Sequence, residues 1–148
     1  MDTTTDISNR KALVDRIASR ELALAVERWA KSITAPAGDI LFRQGDAPEA
    51  VFYLKAGEIK LTMQAGERTI MSASVPAGSL LGLPAIMGNK PYSLTAAAVG
   101  QVEVYRMSHD DFKRMILQDQ LCFDVVRILA GEVHSARVAL AECLDQHG

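Results

Sequence analysis

Cysteine is scarce: Cys122 and Cys143 are the only two in 148 residues. That excludes an iron–sulfur centre, and no zinc-type spacing of cysteine and histidine occurs. If both lie on one helix, at about 1.5 Å per residue they stand roughly 30 Å apart, too far to pair within the chain. The charge is nearly balanced, with 16 basic and 18 acidic residues and a net charge of −2. No basic excess points to nucleic acid, although a small basic face is compatible with such a total. No apolar run is long enough to span a bilayer. The first residues, Met1 to Asp6, are polar and acidic, unlike a signal peptide. A cytoplasmic location is expected.

Enzyme signatures are missing as well. There is no serine elbow, His-Glu-x-x-His, Walker loop or dinucleotide fingerprint. The carboxylates are scattered over predicted solvent faces, and Ser79 and Ser93 have no base nearby in sequence. No catalytic and no metal-binding residue is assigned.

What is present is an ordinary globular composition, 49% hydrophobic and 23% charged, in a chain long enough for one domain with a core. From Ser8 an amphipathic helix is expected, with Leu13, Ile17, Leu24 and Trp29 near one face and Arg10, Lys11, Arg16 and Glu27 elsewhere. The segment from Thr34 to Asp39 breaks it. Short strands with glycine turns follow. Ile59, Leu61 and Met63 alternate with Glu58, Lys60 and Thr62, the pattern of a half-buried strand. Arg68 to Val75 returns, and strands are expected over Tyr92–Val99 and Val102–Met107. Evenly spaced short strands read as a β-sandwich or jelly roll.

The most informative stretch runs from Gly78 to Ala96: a strand end, a glycine turn, one turn of helix opened by Pro84 and closed by Gly88-Asn89, a loop and a new strand. It resembles the phosphate-binding cassette of the cyclic nucleotide-binding domain in the bacterial Crp/Fnr regulators, whose pattern is roughly Gly-x-x-x-Gly-Glu, a short helix, then Arg-Ser/Thr-Ala. Gly78, Gly82 and Ser93 match. A second and more specific match is Pro36-x-Gly38-x-x-Leu41-Phe42-x-Gln44-Gly45-Asp46, and a third is Tyr53, Leu54 and Gly57. The resemblance covers about Thr34 to Leu144. It implies a mainly β jelly-roll sensor with flanking helices: residues 1–33 as N-terminal tail and helix, 34–107 as barrel, and 108–148 as C-terminal helices.

The departures from the pattern carry the chemistry. Leu83 stands where the family has its ribose-binding Glu, and Tyr92 where it has the phosphate-pairing Arg. The cassette positions expected to face a ligand are Gly82, Leu83, Ala85, Tyr92, Ser93 and Leu94. A buried phosphate needs a cation and N–H donors. Leu83 accepts no hydrogen bond and Tyr92 brings no charge, so tight cyclic AMP or cyclic GMP binding is not expected. Lys90 and Arg68 are the substitute cations in view. Otherwise Leu80, Leu81, Leu83, Ile86, Met87 and Leu94, with Met63 and Met71, either line an apolar pocket or fill it. No cofactor is assigned; a cyclic nucleotide or another small effector stays open. A haem reading would need His109, His134 or His147 as axial ligand, and each reads better as a surface histidine.

Ser108 and Asp111 resemble a capping box, with Phe112, Met115 and Ile116 packing back on the barrel. Cys122, Val126, Leu129, Val133, Ala136, Leu140 and Cys143 then keep a 4-3 spacing, a heptad seam, with Asp124, Arg127, Glu132, Ser135, Arg137 and Glu142 opposite. Such a helix needs a partner. The resemblance implies that the partner is the same helix of a second subunit, a homodimer through Val126, Leu129, Val133, Ala136 and Leu140. The chain stops at Gly148 without a recognition helix, so no direct nucleic-acid contact is expected from it. Three readings follow: a ligand-sensing module, an oligomerisation module with a vestigial pocket, or the sensor part of a DNA-binding regulator whose helix-turn-helix lies outside this chain.

Overall fold

The computed structural model of the chain describes residues 16–132. It holds eight strands in two four-stranded antiparallel sheets: β1 (Lys31–Ala35), β8 (Val102–Ser108), β3 (Ala50–Ala56) and β6 (Leu80–Leu81) in one, and β2 (Ile40–Phe42), β7 (Thr95–Ala98), β4 (Ile59–Ala65) and β5 (Arg68–Val75) in the other. Helices flank the first sheet: α1 (Arg20–Trp29), α2 (Leu83–Gly88), α3 (His109–Gln118) and α4, which is helical from 122 to the last described residue, 132. The expected mainly β architecture with flanking helices is the one found.

Side-chain alternation divides two cores. Along β3, Phe52 and Leu54 face the interior between the sheets, whereas Val51 and Tyr53 face the helices. Strand β8 divides the same way, Val104 inward and Tyr105 and Met107 outward. This sheet is therefore buried on both faces, which is why Val51 to Leu54 reads as one unbroken apolar run. The β2-β7-β4-β5 sheet keeps an exposed outer face, and β4 alternates as expected, Ile59 and Leu61 buried with Lys60 exposed between them.

Three local expectations are corrected. A continuous helix from Ser8 to Trp29 does not form: residues 16–19 are non-helical, Ile17 bridges Ser79, and Ser19 caps α1 by accepting from the Leu22 amide. The face of α1 that packs is Leu22, Ala25 and Val26, not one through Leu24, which is 44% exposed. Strand β7 begins only at Thr95, because Tyr92 is held by the loop before β3 instead of pairing in a ladder. Ser8 and Leu13 lie outside the described residues. Strand β1 runs across the division expected between 33 and 34. At the other end Ser108 caps α3 through the Asp111 amide, and Phe112, Met115 and Ile116 are buried against α1 and the sheet, as expected.

Candidate functional site

The cassette is built by backbone conformation first. Gly82 takes φ +86° at the start of α2, and an added Cβ would meet the Tyr92 ring at 3.1 Å and the Ala50 carbonyl at 3.2 Å. Only glycine accepts both the left-handed dihedral and that approach. Pro84 lies in the first turn, and Asn89, also left-handed, ends the helix with its amide on the Ala85 carbonyl. From outside, His109 Nε2 donates to the Ile86 carbonyl at 3.0 Å, tying α2 to the start of α3. That bond gives His109 a structural partner. His134 and His147 lie outside the described residues.

Tyr92 is engaged by the protein's own groups, while also bordering a recess of about 300 Å³ shared with Asp46, Glu49 and Arg106. It is 4% exposed, and its ring stacks on Phe42 with centroids 4.2 Å apart. Its hydroxyl donates to the Ala50 carbonyl at 2.7 Å and accepts from the amides of Ala50 at 3.0 Å and Glu49 at 3.2 Å. Its own backbone pairs with Gly45 and Asp46. The phenol thus satisfies the first residue of β3, and Tyr92 as a whole ties the loop after α2 to the loop between β2 and β3.

Leu83 turns the other way. It is fully buried with Leu22, Phe112 and Ile128 in the helix-side core and lines neither recess of the cassette. Leu80 and Ile86 share that core, so they do not wall a pocket either. Gly82, Ala85, Tyr92, Ser93 and Leu94 do converge, on a recess of about 20 Å³. It adjoins a second recess of about 110 Å³ against Met63, Met71, Pro84, Ser93 and Leu94. Both fall well short of the roughly 300 Å³ at the lower end of sites for drug-sized ligands.

Two charged residues line both recesses, and sequence reasoning gave them other places. Arg16 is 3% exposed, and Glu132, on α4, is nine-tenths buried. Arg16 Nε stands 3.9 Å from Glu132 Oε1, and that oxygen has no hydrogen-bond partner. Burial pushes the Glu132 carboxyl up to about 7, opposed by Arg16, which lowers it. Arg16 arrives because residues 16–18 pair alongside the strand end before the cassette: Ala18 donates to Gly78 and Leu80 donates to Arg16. Glu132 was expected opposite the seam, on the polar face of the last helix. It instead continues a buried stripe with Leu121, Val125 and Ile128. The spacing of four, three and four from Leu121 was the available signal, one residue out of phase with the expected seam. Lys90 and Arg68, the cations considered from sequence, are exposed and line neither recess.

On the expected seam, Val126 is 60% exposed and Leu129 half-buried, and Phe123, which sequence reasoning passed over, is 82% exposed. Val133, Ala136 and Leu140 lie outside the described residues. Among the described residues, no helix is long and apolar enough to cross a membrane, and no group of side chains could hold a metal ion.

The profile of the cyclic nucleotide-binding domain matches residues 32–119, more than half of the chain. The chain belongs to the cyclic nucleotide-binding domain family. One relative is the cAMP-dependent protein kinase regulatory subunit of Emericella nidulans, 29% identical over 85 residues, which are 57% of this chain and 20% of that protein. The chain thus spans about a fifth of that relative. Among solved structures, the Thermus thermophilus catabolite activator protein superposes with a TM-score of 0.58 at 23% identity, over 92% of this chain and 59% of that one. The N-terminal domain of a transcriptional regulator from Streptomyces coelicolor gives a TM-score of 0.57 at 19% identity, over 93% and 92%. At these identities the two superpositions establish the cyclic nucleotide-binding fold and nothing finer.

Proposed function

We propose that the chain is a non-enzymatic sensor or regulatory module of the Crp/Fnr type that does not hold cyclic AMP or cyclic GMP tightly and signals through paired C-terminal helices. The observation that carries the first part is Tyr92. The side chain at the family's arginine position is spent on the Ala50 and Glu49 backbone and has no charge to give a phosphate. Losing a buried Arg–phosphate pair costs about 2–5 kcal/mol, and losing the ribose acceptor, with Leu83 turned into the helix core, costs about 1–3 kcal/mol more. Those losses together take a micromolar site out of the useful range. Calorimetry on the full chain with each cyclic nucleotide tests it.

The second part rests on α4. Its inner stripe, Leu121, Val125 and Ile128, is consumed by the domain, which leaves Phe123 and Val126 on the outer side. Two large apolar side chains one helical turn apart on an exposed face fit a second copy of the same helix. Glu132 lies on this helix and lines the cassette recess, so a ligand there bears directly on the helix. Coupling requires that this contact differ between two states of the helix. Sedimentation of the full chain tests the dimer. The rival reading, an interaction module with a vestigial pocket, draws on the small recess. It predicts a dimer whose association no small molecule alters.

A further inference from the structure

Resting on the sensor reading, we propose that the paired recesses beside Arg16 and Glu132 bind a small organic monocarboxylate, its head group taking the place of Glu132 at Arg16 and its short apolar body lying against Met63, Met71 and Leu94. Glu132 is one of the groups that Arg16 meets in the free protein, and ligand entry releases that contact.

Three observations converge on this. The first is the loose geometry of the pair. A buried guanidinium and carboxylate normally close to a hydrogen-bonded, often bidentate pair near 2.8 Å. Here the Arg16 Nε to Glu132 Oε1 distance is 3.9 Å and Oε1 is left without a hydrogen bond. A buried, incompletely paired carboxylate is costly to keep, so a ligand that displaces it recovers part of what the empty site forgoes. The second is the lining. Both recesses meet Arg16 and Glu132, and the larger one continues onto Met63, Met71, Pro84 and Leu94. One cationic centre beside flexible thioethers and aliphatic side chains suits an anion with an apolar tail, and it serves neither a sugar nor a purine. The third is size. An apolar cavity of about 150 Å³ accommodates benzene. A recess of about 110 Å³ therefore suits a carboxylate of roughly three or four carbons.

The positions of the two residues give the exchange a consequence. Arg16 precedes a segment that pairs beside Gly78–Leu80, and Arg127 on α4 donates to the Ile17 carbonyl at 2.9 Å. Glu132 follows on the same helix. An anion that takes Arg16 from Glu132 therefore releases α4 at Glu132 from the recess while leaving the Arg127 tie one turn earlier.

The test is calorimetry on the full chain with sodium butyrate, with inorganic phosphate as the comparison anion. It is run on wild type, Glu132→Gln and Arg16→Gln, each checked by circular dichroism. Glu132→Gln keeps the side chain's volume and removes the competing charge. Butyrate is expected to bind Glu132→Gln at least tenfold more tightly than wild type, Arg16→Gln not detectably, and phosphate more weakly than butyrate throughout. Equal butyrate affinity in wild type and Glu132→Gln overturns the proposal, and that comparison stands even if Arg16→Gln does not fold. Phosphate binding as well as butyrate also overturns it, since the apolar body would then contribute nothing. The same instrument with cyclic AMP separates the two levels. Micromolar cyclic AMP binding sinks the parent reading, whereas silence toward both cyclic AMP and butyrate sinks this inference alone.

Discussion

Removing one oxygen atom, by Tyr92→Phe, isolates what the residue at the cassette's cation position does in this protein. The ring keeps its stack on Phe42 at 4.2 Å, so packing is conserved. What goes is a donor to the Ala50 carbonyl and an acceptor for the Ala50 and Glu49 amides, in a setting where Tyr92 and Ala50 are both buried. A buried backbone group left unsatisfied costs about 1–3 kcal/mol. The Ala50 carbonyl and amide are both stranded, whereas the Glu49 amide has some access to water. A loss of about 3 kcal/mol follows, which for a chain of this length lowers the melting temperature by about 6–12 °C. Thermal denaturation followed by circular dichroism measures it. A melting temperature within about 2 °C of wild type would show that the phenol is not a structural anchor, and Tyr92 would again be a candidate ligand contact.

Leu83→Glu does not restore a ribose acceptor. It places a carboxylate among Leu22, Phe112 and Ile128 and should destabilise by several kcal/mol with no gain in cyclic nucleotide binding, both read from melting and calorimetry. Glu132 gives a pH dependence of definite sign. Its folded-state value, about 7, lies above the ordinary 4.5, so between those values the folded chain holds the extra proton. Stability therefore falls as pH rises through that window and is level above it, by up to roughly 3 kcal/mol. Glu132→Gln should flatten this slope in urea denaturation at pH 5 and pH 8, and an unchanged slope would contradict the burial of the acid. Val126→Asp, together with Phe123→Glu, should turn a dimer into a monomer in sedimentation while leaving the melting transition of the β domain cooperative. Persistence of the dimer would place the interface elsewhere.

Elements that obey one period were legible in the sequence. The alternation of Ile59 and Leu61 marks β4, and the turn grammar around Gly82, Pro84 and Asn89 marks the cassette helix in its observed form. Leu83 and Tyr92 were visible as identities, but not where those side chains go. A strand-and-helix pattern assigns a residue to an element, and it does not say which of two cores that element faces. Leu83 reaches the helix-side core because α2 lies on the outer face of a sheet buried on both sides. Arg16 and Glu132 were the least legible. They come from opposite ends of the chain, each looks like a solvent residue on its own element, and only the pairing of residues 16–18 beside Gly78–Leu80 brings them to one recess. The last helix carries two apolar stripes one residue out of phase. The outer one reads as a heptad seam, and the inner one, through Val125 and Ile128, is what holds the helix to the domain.

The central claim is that this cyclic nucleotide-binding fold does not hold a cyclic nucleotide tightly, because Tyr92 and Leu83 are committed to the protein's own structure and the Arg16 that lines the recess faces Glu132. Calorimetric titration of cyclic AMP into the 148-residue chain measures that most directly. The predicted result is no saturable heat below about millimolar ligand. One-to-one binding in the micromolar range would contradict it, most clearly if Arg16→Gln then abolished the signal.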